Sequence, residues 1–372
     1  LTDPSLCFLN HGSFGATPQE LLDLQSGLRL QMERSPVDFL GRNLVDRIEH
    51  ARIPTAQFLG SDVHGTVFVH NATTGINAVL ASFPFHPGDE IVTTNHRYDA
   101  VGNTLRHVAD RKDARLVVAS VPFPLRSTQQ IIDAIESSLT EKTRLLVIDQ
   151  ITSPTALIFP VHEIVAMARQ RGIPILIDGA HAPGQVDLDL SGLGADFWVG
   201  NLHKWMCAPK GCAVLVVAEQ WRDIIHPTVI SHGYNQGFVS EFGTKGTLDP
   251  TAWMCAPAAI DLHERQGGKA FRDAHHALVQ QGRQVIAEAL SVELPHPDDA
   301  SLYGAMATIP LPCDQADVPE LFERVRNEDN IEVPIIVWDH RAWVRVSGFS
   351  AYNDPRQYVQ LAQSLRKRLI AD

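Results

Sequence analysis

The sequence predicts an α/β fold, with a large domain on a mainly parallel sheet and a smaller α+β domain after it. Short apolar runs rich in β-branched residues alternate with amphipathic segments up to about Pro250. The runs are apolar throughout, as in strands that crossover helices cover on both faces. After Pro250 the pattern becomes one long polar helical segment and then several strands. A chain of 372 residues is also too long for one ordinary core.

The large domain is expected to span residues 15–250. Its predicted strands are Thr66 to Val69, Glu90 to Thr93, Leu116 to Ala119, Leu145 to Ile148, Ile173 to Ile177, Phe197 to Val199 and Val214 to Val217. Helical spacing of apolar residues lies between several of them, at Ile131, Ile135 and Leu139, and at Val161, Ile164, Val165 and Ala168. Open sheets of this class bind ligands beyond the carboxyl ends of their strands, so the loops there are the place to look for chemistry.

The small domain is expected to span residues 251–372, together with the N-terminal segment 1–14. Its predicted elements are a helix at Gly267 to Leu290, strands at Gly304 to Pro310, Ile331 to Val337 and Ala342 to Val346, a turn at Asp339-His340 and a closing helix after Asp354. The polar segment Ser231 to Phe242 predicts a loop.

Composition and charge exclude several classes of protein. A net charge of −12 argues against a nucleic-acid partner and against an anionic membrane surface, and no apolar run is long enough to span a bilayer. The five cysteines form no C-x-x-C pair, which disfavours a disulfide framework and a zinc site and favours a reducing, cytoplasmic location. The sequence begins at Leu1 rather than Met, so a targeting segment ahead of it stays an open alternative.

Three local patterns carry the chemistry. Asp178, in Asp178-Gly179-Ala180-His181, ends an apolar strand, where a buried carboxylate needs a cationic partner; the alternative is an ordinary turn cap. Lys204, in Asn201-Leu202-His203-Lys204-Trp205, follows another strand among aromatic residues, where desolvation lowers the pKa of a lysine; the alternative is a surface lysine.

The third pattern is Asn71-Ala72-Thr73-Thr74-Gly75, between a strand and a helix. Its hydroxyl groups and free backbone N–H groups at a helix start suit a phosphate, although a plain N-cap is the alternative. Pyridoxal phosphate (PLP) needs an anion site, a carboxylate for its ring nitrogen and a lysine for its imine. Since all three follow strands of one predicted sheet, the sequence predicts a PLP enzyme and no metal site.

Beyond these patterns, the sequence resembles class V aminotransferases of PLP fold type I over nearly its whole length. The motifs that carry the resemblance are Asp178 to His181, the Asn201 to Trp205 run and Gly243 to Pro250. The opening Leu9 to Gly15 is most similar to the isopenicillin N epimerase-like branch of that family.

The resemblance implies roles for individual residues. Lys204 would carry PLP as a Schiff base, Asp178 would pair with the pyridinium nitrogen and His181 would donate to the phenolic oxygen. The phosphate would be held by Ala72, Thr73 and His203, with Thr247 reaching it from the second subunit of a homodimer. Asn201 departs from the serine that relatives often have at its position.

Further residues around the cofactor and substrate follow from the same resemblance. Tyr98 would stack on the ring, with His96 as the alternative, and Ser153 would contact the cofactor. The substrate, an amino acid, would be bound by Asn10, His11 and Arg345, the last through a bidentate pair with its carboxylate. Phe14, Trp205, His232 and Tyr234 would line the pocket, or else serve only in packing and turns.

Several reactions fit these motifs. An epimerase or aminotransferase acting at Cα comes first, and a lyase that eliminates a β-substituent, such as a C–S lyase, is the alternative. A cysteine desulfurase is disfavoured, because the stretch Arg326 to Glu332 ahead of Arg345 contains no nucleophilic cysteine. Three other classes rank lower. A nicotinamide-dependent dehydrogenase is disfavoured because no G-x-G-x-x-G follows a strand, and a zinc hydrolase because the sequence has no H-E-x-x-H. A non-catalytic binding protein is disfavoured because Lys204 is intact.

Overall fold

The computed structural model describes residues 3–370. Residues 1–2 and 371–372, at the outer limits of the predicted small domain, lie outside the described residues. The strands are β1 Cys7–Phe8, β2 Thr66–Val69, β3 Glu90–Thr94, β4 Arg115–Ala119, β5 Thr143–Asp149, β6 Ile175–Asp178, β7 Phe197–Asn201, β8 Ala213–Val217, β9 Met306–Pro310, β10 Ile331–Glu332, β11 Ile335–Trp338 and β12 Arg341–Ser347.

The helices cover the sheets and connect the strands. They are α1 His11–Phe14, α2 Gln19–Arg34, α3 Leu44–Phe58, α4 Ala72–Ser82, α5 Asp99–Lys112, α6 Gln129–Glu136, α7 Val161–Gln170, α8 Leu190–Leu193, α9 Phe238–Gly243, α10 Thr251–Met254, α11 Ala256–Arg265, α12 Lys269–Leu290, α13 Val318–Glu328 and α14 Pro355–Leu369.

A seven-stranded sheet, of order β2-β8-β7-β6-β5-β3-β4, forms the centre of the molecule and contains all seven predicted strands. The pairs from β7 through β6, β5 and β3 to β4 are parallel, which confirms the predicted α/β fold. Strand β8 is antiparallel to both of its neighbours. The reason is its connection: the short loop after β7 contains no crossover helix, so the chain turns back beside β7.

The carboxyl ends of β2, β3, β5, β6 and β7 meet at one edge of this sheet. Strands β5 and β6 are almost completely buried, because helices cover both faces. Helix α4 packs closely on the sheet at Gly75, where a Cβ atom would lie 2.3 Å from Cγ1 of Val199. The start of α4 is thereby held beside the ends of the central strands.

A second sheet, of order β11-β12-β9, is antiparallel; α12 packs against β9 and β12, α13 packs against β11, and α14 packs on α12. The hairpin from β11 to β12 turns at Asp339 and His340, both at positive φ, as the predicted turn requires. The predicted strand 331–337 is divided in two. Pro334, which has no N–H to donate, separates β10 from β11, and the two strands pair with different partners.

The N-terminal segment joins the C-terminal part of the chain. Strand β1 pairs in parallel with β10, and the backbone N–H of Ser347 donates to the carbonyl of Leu9. The predicted division into domains 15–250 and 251–372 stays a prediction. Helices α10 and α11, which follow residue 250, pack on α2 and α3. The predicted loop Ser231 to Phe242 is helical from Phe238 onward. Within residues 3–370, no helix is long and apolar enough to cross a membrane.

Candidate active site

A cavity of about 240 Å³ lies at the carboxyl edge of the seven-stranded sheet. The sequence-predicted residues that line it are Ala72, Thr73, Tyr98, Ser153, Asp178, His181, His203 and Lys204, together with Phe14. They come from five different strand ends and from the N-terminal segment. The fold therefore brings together most of the residues that the sequence singled out, although they are spread over almost 200 positions of the chain.

Lys204 stands in the loop after β7, and burial lowers the pKa of its amine to about 7, with the positive charge of Arg345 acting in the same direction. The carboxylates of Asp178 and Asp149 act in the opposite direction. Gly15, at φ 70°, lets the N-terminal segment pass directly over this loop. The amine is thus held in a buried site, and its loss of hydration favours the neutral, nucleophilic form.

His181 links Lys204 to Trp205. Its Nε2 lies 3.1 Å from Nζ of Lys204, and its Nδ1 lies 3.3 Å from Nε1 of Trp205. Because an indole N–H can only donate, Nδ1 of His181 is the acceptor and Nε2 carries the proton in the neutral ring. Burial lowers the pKa of His181 well below its ordinary value, so the ring is neutral. Nε2–H is therefore available as a donor inside the cavity.

Asp178, the last residue of β6, is 3 % exposed. Its carboxylate accepts a hydrogen bond from the backbone N–H of Ala180 at 3.0 Å. Burial raises its pKa, while that hydrogen bond and Lys204 lower it. A buried carboxylate of this kind is stabilised by a ligand that brings a positive N–H group, such as a protonated pyridine nitrogen.

The start of α4 forms the polar end of the cavity. The side chain of Asn71 caps the helix by accepting from the N–H of Thr74 at 2.8 Å. Asn201 accepts the N–H of Ala72 at 2.9 Å, so this N–H is already bonded to the protein, whereas Thr73 lines the cavity beside it. Nδ1–H of His203 donates to the carbonyl of Cys212, so Nε2 is the nitrogen without a proton while the ring is neutral.

Arg345, on β12, lies directly behind the cavity wall. Its Nη1 donates to the carbonyl and the hydroxyl of Ser153, at 2.6 and 3.1 Å, and its Nη2 donates to the hydroxyl of Ser13 at 3.2 Å. The guanidinium has five N–H groups, so one N–H on Nη2 and the N–H on Nε stay free. Nε is buried without a partner, and among residues 3–370 no carboxylate lies within 4 Å of this side chain.

Other predicted residues lie away from the cavity wall. Nε2 of His11 is 3.1 Å from the carbonyl of Lys204 and Nδ1 is 2.6 Å from the hydroxyl of Tyr352, so this ring ties the N-terminal segment to the lysine loop. Asn10 accepts from the hydroxyl of Ser13 and donates to Glu332. His96 is bonded to Thr155 and to a backbone carbonyl.

Thr247 and His232 line a separate pocket on the same chain. Trp205 is buried and is bonded to His181, which lines the cavity. Tyr234 is half exposed and lies near His226. The role that the family resemblance implies for Thr247 stays a prediction, as do the pocket-lining roles of Trp205, His232 and Tyr234.

The sequence analysis missed Asp149, Ser13 and Ile151, which also line the cavity. Asp149 had a recognisable signal, because it ends an apolar strand just as Asp178 does. Ser13 had none beyond its place in the N-terminal motif, since its role depends on a side chain more than 300 residues away.

Comparison with known proteins identifies the family. The model of the family described as aminotransferase class-V matches residues 28–354. The chain belongs to the class V aminotransferase family. A putative L-cysteine desulfhydrase 1 of Oryza sativa is 32 % identical over 98 % of this chain and 83 % of its own. An isopenicillin N epimerase of Streptomyces clavuligerus is 31 % identical over 88 % of this chain and 87 % of its own.

The fold has close counterparts among solved structures. A variant of C-DES, with glycine covalently linked to its PLP cofactor, has a TM-score of 0.78 at 20 % identity, covering 97 % of this chain and 96 % of that one. The class V enzyme described here therefore has PLP fold type I, and its cofactor is PLP. The residues of the cavity fit that cofactor. Asp178 is a buried carboxylate with no cation within 4 Å among residues 3–370, burial lowers the pKa of the Lys204 amine, and Thr73 lines the cavity at the start of α4.

Proposed function

We propose that this class V enzyme acts at Cα of a small amino acid whose carboxylate is bound by Arg345, with Lys204 moving the proton. The observation that carries the proposal is the unpaired side of the Arg345 guanidinium. A buried guanidinium without an acid partner is costly, and burial lowers its pKa to about 10. A substrate carboxylate supplies the missing charge and fits the free Nε and Nη2 donors side by side.

PLP supplies, when bound, an electron sink that makes the Cα–H bond of an attached amino acid acidic. Lys204 is placed to take that proton, because burial lowers the pKa of its amine to about 7 and a large share of the amine is then neutral at pH 7. Nε2–H of His181, fixed by Trp205, is placed to donate to the cofactor's phenolic oxygen. Asp178 is placed to hold a proton on the ring nitrogen, and the start of α4 to hold the phosphate. His203 can donate to the phosphate through Nε2 once its ring is protonated, which a nearby phosphate charge favours.

Elimination of a β-substituent, above all cleavage of a C–S bond, is the reaction that the geometry favours. Epimerisation needs a proton returned to the opposite face of Cα, and among the described residues of the cavity wall Lys204 is the one amine placed for proton transfer. The imidazole of His181 accepts from Trp205 at Nδ1, and its Nε2–H is the group proposed to donate to the phenolic oxygen rather than to Cα. A β-elimination needs no second-face donor, since departure of the leaving group completes the step.

This order differs from the sequence-based one, which placed epimerisation or transamination first. Epimerisation stays the second candidate, supported by the 31 % identity to an isopenicillin N epimerase. The C–S lyase candidate is supported by relatives named L-cysteine desulfhydrase, including one at 32 % identity. Persulfide-forming desulfuration is disfavoured, because Cys7, Cys207, Cys212 and Cys255 are buried and Cys313 lines a different cleft.

We further propose that the enzyme is a homodimer. Thr247 does not line the cavity of its own chain, and its family role requires it to reach the cavity of a second copy. The exposed apolar side chains of Phe14, Val229, Ile230 and Tyr234 supply surface for such contacts. The five unpaired cysteines are compatible with the reducing, cytoplasmic location that we propose.

The first experiment establishes cofactor and lysine. The purified enzyme should show a visible absorption band that borohydride removes, Lys204→Ala should lack it, and Lys210→Ala should keep it as the matched control. Wild-type enzyme is then incubated with L-cysteine, L-cystine and S-alkyl cysteines in deuterated buffer. Pyruvate, ammonia and a released thiol support elimination, whereas Cα deuterium exchange with racemisation and no release supports the epimerase. If the enzyme shows neither elimination nor epimerisation on any of these amino acids, the proposed substrate class is contradicted.

A further inference from the structure

Asp149 and Asp178 occupy equivalent positions at the ends of neighbouring strands. They are register partners in the parallel pair of β5 and β6, so their side chains point to the same face of the sheet, about 4.8 Å apart at the backbone. Both line the cavity, and they are 4 % and 3 % exposed. The floor of the site is therefore built from two buried carboxyl groups, of which the cofactor's ring nitrogen needs only one.

Positive charge near this pair is scarce. Among residues 3–370, no Lys, Arg or His nitrogen lies within 4 Å of either carboxyl group. The groups that face Asp149 are Asp178 on β6, Lys204 after β7, and Arg97 with the backbone N–H of Tyr98 after β3. Lys204 is itself driven towards its neutral form, and Nη1 of Arg97 donates to the carbonyl of Thr94.

Two charged carboxylates cannot both be accommodated here. Each loses its hydration on burial, and a like charge beside it adds repulsion, so one of a close buried pair keeps its proton. Asp178 is the one that stays charged, because the N–H of Ala180 and the amine of Lys204 both favour its carboxylate. Asp149 has the weaker support, from the backbone of Tyr98 and from Arg97.

We propose that Asp149 is a positioning residue that carries a proton beside charged Asp178, so that the pair presents a single negative charge to the ring nitrogen of PLP. As a neutral acid it can also accept the N–H of Tyr98, the residue expected to stack on the ring. The inference rests on the proposed role of Asp178 but not on the reaction that the enzyme catalyses. The pKa of Asp149 agrees in direction: burial raises it well above its ordinary value, and Asp178 raises it further.

The decisive variant is Asp149→Asn, which has nearly the same shape and cannot ionise. If Asp149 is neutral in the native protein, the amide replaces it well, and the apoprotein should bind PLP within about threefold of wild type. Asp178→Asn removes the charge that the ring nitrogen needs and should weaken PLP binding about 100-fold or more. PLP affinity is measured by titrating the apoprotein and following its absorption, so no substrate or turnover is involved.

The pH dependence of the thermal stability of the apoprotein gives independent evidence on the charge of Asp149. A carboxyl group whose pKa is higher in the folded than in the unfolded chain destabilises the fold increasingly as pH rises above about 4, up to its folded pKa. The Tm of Asp149→Asn should therefore rise relative to wild type between pH 5 and pH 8. Glu293→Gln, which removes an exposed acid, should show no such trend.

The opposite results overturn the proposal. If Asp149→Asn loses PLP affinity as Asp178→Asn does, with a Tm difference that does not change with pH, then Asp149 is ionised and its charge is needed. Should the variant fail to fold, infrared difference spectra of the wild-type apoprotein decide the matter. A carbonyl band of a protonated carboxylic acid at pH 7 supports the proposal, and its absence contradicts it. If the enzyme does not catalyse the proposed elimination, the expected results for PLP affinity, Tm and the infrared band stay the same.

Discussion

The indole N–H of Trp205 donates to Nδ1 of His181, and this bond decides which nitrogen of the imidazole carries the proton. Trp205 is buried and directly follows Lys204, so the residue beside the amine that we propose to be catalytic also sets the donor that faces it. These two adjacent residues thus place two groups in the cavity: Lys204 supplies the amine, and the indole of Trp205 orients the imidazole of His181.

Replacing Trp205 with Phe tests this relationship. The ring packing is kept, but Nδ1 of His181 loses its donor, and a buried acceptor without a partner costs about 1–3 kcal/mol. We expect kcat to fall about tenfold while the fold is retained. Trp253→Phe is the matched control, since Trp253 is also buried and its indole N–H also donates a hydrogen bond, in its case to the backbone carbonyl of Gly211. Unchanged kcat in Trp205→Phe would show that the bond does not set the donor.

Replacing Arg345 with Lys should separate substrate binding from cofactor binding. A lysine cannot offer two parallel N–H groups to a carboxylate, so we expect KM for the amino acid to rise about 30- to 100-fold, the equivalent of ~2–3 kcal/mol. The affinity for PLP should stay the same. Arg341→Lys, on the exposed start of the same strand, is the control. An analogue that lacks the carboxylate should bind wild type and Arg345→Lys equally, and a difference between them would contradict the assignment.

The pKa of Lys204 makes the stability of the apoprotein depend on pH. Burial lowers this pKa from its ordinary value of 10.5 to about 7 in the folded protein. Between these two values the unfolded chain binds the proton and the folded chain does not, so raising the pH from 7 to 10 stabilises the fold. The wild-type free energy of unfolding should therefore increase over this range relative to Lys204→Met, by at most ~5 kcal/mol. Denaturant titrations at several pH values measure it, and a constant difference would mean that the amine is solvated.

Much of the fold could be predicted because its signals are local. Apolar runs marked every strand of the seven-stranded sheet, and Asp339-His340 marked the hairpin turn. The antiparallel direction of β8 could not be predicted from its composition, because direction depends on the connection rather than on the residues of the strand. The division of 331–337 had a local sign in Pro334, but its consequence depends on β1, more than 300 residues away.

The candidate site shows the same contrast. Asp178, Lys204 and the start of α4 each follow a strand, and parallel strands end at one edge, so their meeting could be expected. Arg345 donates to the hydroxyl groups of Ser13 and Ser153, and the side chain of Asn201 accepts the backbone N–H of Ala72; only the folded chain brings these groups together. No periodicity or motif encodes such pairs.

Gly15 offers a test of how closely the N-terminal segment must approach the lysine loop. A Cβ atom at this position would lie 2.4 Å from the carbonyl oxygen of His203 and 2.6 Å from that of Lys204, and φ is 70°, which side chains disfavour. Since the obstacles are backbone atoms, Gly15→Ala can be accommodated only by displacing the loop that carries Lys204. We expect a lower Tm and a loss of PLP-dependent absorption on dialysis.

The matched control is Gly27→Ala, in the middle of α2, where an added Cβ meets no atom within 4 Å. Alanine is the better helix former, so this variant should be as stable as wild type or more stable by up to about 1 kcal/mol. If Gly15→Ala retained PLP and Tm as Gly27→Ala does, the N-terminal segment could move without disturbing Lys204. The hydrogen bond from Arg345 to the hydroxyl of Ser13 would then also be dispensable, because Ser13 and Gly15 belong to the same segment over the cavity and would move together.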